Sequence, residues 1–126
     1  MTENEDFKNQ EQKSKPQDQL TLEDIVFLIN KIGLEYIEAK REYDKHDLLK
    51  TSHRARIMEK HDNGQRSESK IRRLAEMDDE YLDILSQLNK TKYNYERLKV
   101  RYESYKNLFE ARRSMLSYQK AEMKLL

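Results

Sequence analysis

Lys92, Lys99, Lys106, Arg113 and Lys120 stand seven residues apart. On a helix that spacing sets one positive charge about every 10 Å along one flank. Arg97, Arg101 and Arg112 add to the same region. Such a row can neutralise successive phosphates of a nucleic-acid backbone, releasing counterions without reading a base. In a coiled coil the same flank commonly pairs with acids of the facing helix. An antiparallel fold-back with its turn near Gln65 sets Lys40, Gly33 and Val26 opposite the first three, and none is acidic. The pairing alternative then needs acids from a second subunit, for example Glu35, Glu38 and Glu42. Both readings stay open.

The stretch YNYERLKVRYESY, 93–105, holds four tyrosines among basic residues. Tyr95, Tyr102, Leu98 and Tyr105 fall on a heptad seam. Tyrosine has a large apolar body and a polar tip, which suits a half-wet core. Tyr93 and Tyr118 fall off the seam and are the candidates for stacking on bases.

Other chemistry is harder to build. His46 and His53 lie one heptad apart, about 10 Å on a helix, whereas helical metal-binding histidines want a spacing of three or four. They read as polar breaks in a seam, able to make association pH-sensitive. The three adjacent acids of EMDDEY, 76–81, point in different directions on a helix and read as a solvated face. Gly33 and Gly64 are isolated, so no phosphate-cradling loop is present, and no catalytic serine set is identifiable. With no cysteine, thiol chemistry and disulfides are excluded. The expectation is a protein that is not an enzyme, with no cofactor and no small-molecule substrate.

The elements that carry these residues follow from composition and period. Of 126 residues, 39% are charged, one is proline and two are glycine. Such a balance with few helix breakers marks long exposed helices. Residues 1–20 are polar, contain the proline Pro16, and read as a disordered tail before a helical part at 21–126. Thr21 and Asp24 have capping-box spacing. A first helix is expected from about 22 to 60, with apolar residues Leu22, Ile25, Ile29, Ile32, Tyr36, Ala39, Tyr43 and Ile57. HDNGQRSES at 61–69 contains Asn63-Gly64, a breaker, and Ser67 or Ser69 as a cap. A second helix is expected from about 68 to 123. Leu74, Tyr81, Leu88, Tyr95, Tyr102, Phe109, Leu116 and Met123 repeat every seven along it. Met77, Ile84, Thr91, Leu98, Tyr105, Arg112 and Gln119 form the companion seam.

The predicted fold is all-α: an antiparallel two-helix coiled-coil hairpin whose second helix overhangs the first. Two features predict a homo-oligomer. Leu116, Met123, Leu125 and Leu126 lie on the overhang, where a lone helix leaves them wet. Ile25, Val26, Phe27, Leu28 and Ile29 are apolar around the whole helix, more than one neighbour can cover. Residues 25–29 with Phe109, Leu116 and Met123 are the expected oligomerisation residues. The alternative is that the N-terminal tail folds over them.

Charge is uneven along the chain. Residues 1–20 carry net −2, 21–85 net −3 and 86–126 net +6, so an anionic partner is expected at the last third. The acidic, polar N-terminus has no secretory pattern, and no window is apolar enough to span a membrane. A cytoplasmic location is expected.

EYIEAKREYDKHDLLKTSHRARIMEK followed by HDNGQRSESKIRRLAEMDDEY covers about 35–81. In pattern and size this stretch resembles the phage recombination mediators similar to UvsY. The continuous heptad after Tyr81 departs from that pattern. The resemblance implies a helical oligomer that binds single-stranded DNA without a cofactor. Its partners are then a recombinase and single-strand binding protein, and Lys92, Lys99, Lys106, Arg113 and Lys120 hold phosphates with support from Arg97 and Arg101. The competing class is a structural or adaptor coiled coil, or a small inhibitor of a host protein, docking through its apolar helix ends.

Overall fold

The computed structural model describes residues 16–125, and these residues are helical with no strand among them. A short 3-10 turn at Gln17–Gln19 precedes α1 (Leu22–His61), α2 (Glu68–Met77) and α3 (Asp79–Leu125). The tail expected over 1–20 lies, for residues 1–15, outside the described residues, as does Leu126.

α1 begins where Thr21 and Asp24 close a reciprocal capping box. The Asp24 amide donates to Thr21 Oγ1 at 3.1 Å, and the Thr21 amide donates to Asp24 Oδ2 at 3.0 Å. Two orphan amides of the first turn are thereby satisfied. α1 ends at a turn built by side chains. Asp62 Oδ1 accepts from the Gly64 amide, Asn63 Oδ1 accepts from the amides of Gln65 and Arg66, and Gly64 takes φ 79°. That left-handed conformation favours glycine. Arg66 Nη1 donates to the His61 carbonyl at 2.8 Å, covering an acceptor that the helix end leaves open. Ser67 then caps α2, its Oγ accepting from the Lys70 amide at 3.3 Å.

The helix expected to run unbroken from 68 to 123 is divided at Asp78, which is extended with φ −67° and ψ 134°. Asp78 Oδ1 accepts from the Glu80 amide at 2.9 Å and so caps the start of α3. Its Oδ2 accepts from His61 Nε2 at 2.6 Å and Lys60 Nζ at 3.3 Å. Within EMDDEY, therefore, Asp78 is a nearly covered cap and not part of a solvated face; its side chain is only 9% exposed. Met77, expected in the companion seam, is 75% exposed because the helix ends there.

The described residues divide into two compact units, 32–102 and 16–31 with 103–125. In the unit 32–102, Ile57, Ala75 and Tyr81 form a buried cluster against which Met58, Ile84 and Leu85 pack. Ile57 is 1% exposed, and burying such a side chain contributes about 1.5–3 kcal/mol. Further along, four tyrosines meet. Tyr43 and Tyr95 lie 4.8 Å apart between ring centroids, and Tyr36 stacks on Tyr102 at 6.4 Å. Pair positions rise along α3 as they fall along α1, so the two strands of contacts run in opposite directions. A turn centred at Gln65 sets Tyr36 near Tyr95 and Tyr43 near Leu88. Tyr36 does lie 6.5 Å from Tyr95, but Tyr43 also meets Tyr95, at 4.8 Å, and Gly33 lies against the ring of Tyr102. Near the turn Arg54 still pairs with Glu76, as a turn centred near 65 requires. The shift therefore enters around the Asp78 break, where Ile57 packs with Ala75 before it and Tyr81 after it.

In the other unit, residues 16–20 do not form a loose tail. Leu20 is 6% exposed, and Arg112 donates to the carbonyls of both Leu20 and Gln17. Ile25 is fully buried. Asp18, Leu22, Arg112, Met115, Leu116 and Gln119 line an open depression on this unit.

Candidate nucleic-acid interface

The cations of α3 divide between the two units. In the unit 32–102, Lys92, Lys99, Arg97 and Arg101 are all exposed. An undistorted helix drifts only about 20° per heptad, so Lys92 and Lys99 remain on one flank, about 10 Å apart. Among the described residues none of these four has a carboxylate within ion-pair distance, and Arg97 donates only to Asn94 Oδ1 at 3.4 Å. In the other unit Lys106, Arg113 and Lys120 are exposed as well, and Arg112 is turned to the chain of residues 17–20.

The charges of α1 behave differently. Lys40 pairs with Asp44 at 3.2 Å, Arg41 with Glu38 at 3.8 Å, and His46 with Glu42 at 3.0 Å. Glu38 and Glu42, the acids expected to serve a second subunit, thus have partners one turn away. Such exposed helix pairs contribute little to stability, but Lys40–Asp44 and Arg41–Glu38 balance charge locally. Lys40 was expected opposite Lys92. Its ammonium instead sits 4.5 Å from the Tyr95 centroid and 5.1 Å from that of Tyr43, a cation–π arrangement. Its hydrogen bond to Asp44 raises its pKa, against the opposing pull of desolvation.

His53 accepts at Nδ1 from Arg56 Nη2 at 3.1 Å. Among the described residues no group of three histidines or acids could hold a metal ion, and no helix is long and apolar enough to cross a membrane.

The residues assigned to self-association separate by burial. Ile25 belongs to the interior of its unit and offers no surface, while Leu28, Ile29 and Phe109 are half-buried. Val26, Phe27, Leu116 and Met123 remain exposed, with Met115 and Leu125 beside them in sequence. Off the seam, Tyr93 is 69% and Tyr118 67% exposed. Arg112, expected to add to the basic region, is instead held at the carbonyls of Leu20 and Gln17. The signal for it was a cation in an apolar heptad, which needs a buried acceptor to stay there.

Comparison with protein-family models, with curated proteins and with solved structures finds no match to this chain.

Proposed function

We propose that this chain is a non-catalytic, self-associating helical protein that binds single-stranded nucleic acid through phosphate contacts. Over residues 32–102 the fold is read as an antiparallel coiled-coil hairpin, and Lys92, Lys99, Arg97 and Arg101 of α3 are the binding residues there. Lys106, Arg113 and Lys120 serve the same purpose in the other unit. The observation that carries this reading is the contrast between helices. In α1, Lys40 and Arg41 pair with acids one turn away and Arg54, Arg56 and Lys60 with acids at 76–80, leaving Lys31, Lys45 and Lys50, whereas these α3 cations are exposed and carry no carboxylate partner among the described residues, Lys106 aside. A row of unneutralised cations at helical spacing suits a backbone with evenly repeated negative charge. Taken with the resemblance over 35–81, the reading extends to a recombination mediator that helps load a recombinase onto strands covered by single-strand binding protein.

The test is a titration of labelled single-stranded and duplex oligonucleotides with the full chain, followed by anisotropy at low and moderate salt. Tight, salt-sensitive binding that favours single strands supports the reading. No binding at low salt removes it.

The exposed apolar residues favour a second reading, an adaptor coiled coil that docks a protein. Phe27 is 55% and Leu116 43% exposed, more apolar surface than binding a phosphate backbone requires. In the first reading these residues join copies of the chain. Sedimentation of Phe27→Glu and Leu116→Glu distinguishes the two. Loss of a wild-type oligomer assigns them to self-association, and a monomeric wild type assigns them to another protein.

A further inference from the structure

Tyr93 projects from α3 into solvent, 69% exposed, with no ring partner among the described residues. A phenol ring in water needs a reason beyond packing. Its neighbours on the helix surface are the residues three and four positions away. These are Asn89, Lys90, Glu96 and Arg97, and together with Lys92 all but Arg97 line a shallow depression around the ring. Lys90 lies almost one turn before the ring and Arg97 just over one turn after it, about 10 Å apart along the axis. Neither has a carboxylate partner among the described residues.

Glu96 is the informative member of this rim. Its carboxylate repels a phosphate from one side of the ring, while Lys90, Lys92 and Arg97 attract phosphates around it. A strand laid along the depression keeps its backbone at the cations and has only a base to offer the ring. Asn89 supplies an amide that can donate to or accept from a base edge. From this arrangement we infer that Tyr93 is a base-stacking subsite for single-stranded nucleic acid, with Lys90 and Arg97 holding the flanking phosphates. Bases of a duplex are already stacked and cannot cover the ring, so Tyr93 is the residue that tells a single strand from a duplex. Tyr118 is equally exposed but carries Ser114, Met115, Ala121 and Glu122 at the corresponding positions, with no cation among them. It lacks the rim and is not such a subsite.

This inference rests on the proposed nucleic-acid binding, so the experiment must separate the two. The chain contains no tryptophan, and Tyr93→Trp therefore introduces a single indole at an exposed position. Its emission is followed during titration with a labelled single strand and with a duplex of equal length, while anisotropy of the label reports binding itself. Quenching by the single strand and not by the duplex is the expected result. Tyr93→Ala should weaken single-strand binding roughly tenfold and leave duplex binding unchanged, in keeping with typical losses of a stacking aromatic. Rising anisotropy without quenching, or equal affinity for Tyr93→Ala and wild type, overturns the subsite and leaves phosphate binding standing. No rise in anisotropy for the wild type overturns both.

Discussion

His61 Nε2 lies 2.6 Å from Asp78 Oδ2, which ties the last turn of α1 to the single extended residue between α2 and α3. The same carboxylate caps α3 through the Glu80 amide. One residue thus ends α2 through its backbone amide, starts α3 through its carboxylate and anchors both to α1.

This arrangement predicts a pH dependence. The hydrogen bond from His61, then that from the Glu80 amide, lowers the Asp78 pKa from 3.8 to about 2. A carboxylate with a depressed folded-state pKa contributes stability that is complete above its unfolded value. That contribution is lost as pH falls from about 4 toward 2. Acid unfolding followed by circular dichroism should be steeper in this window for the wild type than for Asp78→Asn. Parallel curves for the two proteins rule the linkage out.

Gly33 shows where helix propensity and packing compete. A Cβ there would stand 3.2 Å from Cε2 of Tyr102, and that ring is held by its stack on Tyr36. Alanine in a helix normally gains about 0.5–1 kcal/mol over glycine. Gly33→Ala should lower the thermal midpoint in the wild-type chain because the ring has to move. In a Tyr102→Ala background the same change should raise it. A gain in both backgrounds would show that the ring yields freely.

Thr21→Ala removes one side of the capping box and should cost about 1 kcal/mol, the usual loss at such a cap. Denaturant titration gives the value. An unchanged midpoint would mean that the start of α1 is frayed in the wild type.

Arg112 holds residues 17–20 by their carbonyls. Arg112→Met keeps an apolar stem but no donor. Amide exchange at Gln19 and Leu20, which donate to Pro16 and Gln17, should accelerate strongly while the amides within α2 stay protected. Equal exchange in both proteins would mean that burial of Leu20 alone holds the segment.

For binding, the salt slope counts phosphates. Each contact to a single strand contributes about −0.7 to the slope of log K against log salt. Lys92→Gln with Lys99→Gln should therefore flatten it by about 1.4. A slope unchanged by the double substitution falsifies their role.

The sequence pointed to the elements better than to their joints. Thr21, Gly64 and Ser67 are residue types with strong local preferences, and the start of α1, the turn and the start of α2 fall where they sit. Asp78 gave no such signal, because an aspartate that caps a helix looks like any exposed acid. Its deciding partner, His61, is seventeen residues away. The register was ambiguous for a related reason. A seam that repeats every seven residues matches equally well after a slip of seven, so Tyr43 fits Leu88 or Tyr95 by pattern alone. In the structure Tyr43 meets Tyr95, while Tyr36 lies 6.5 Å from Tyr95 and 6.4 Å from Tyr102. The cations of α3 were readable as a series. The pairing of Glu38, Glu42 and Asp44 within their own helix required side-chain positions.

Tyr36, Tyr43, Tyr95 and Tyr102 are partly exposed where they meet, and each ring ends in a hydroxyl. An aliphatic zipper that opens bares grease and invites aggregation. A phenolic one presents groups that water already solvates. Opening of the middle of this helix pair therefore carries little risk of aggregation, while the buried cluster of Ile57, Ala75 and Tyr81 closes the pair on the side of the turn.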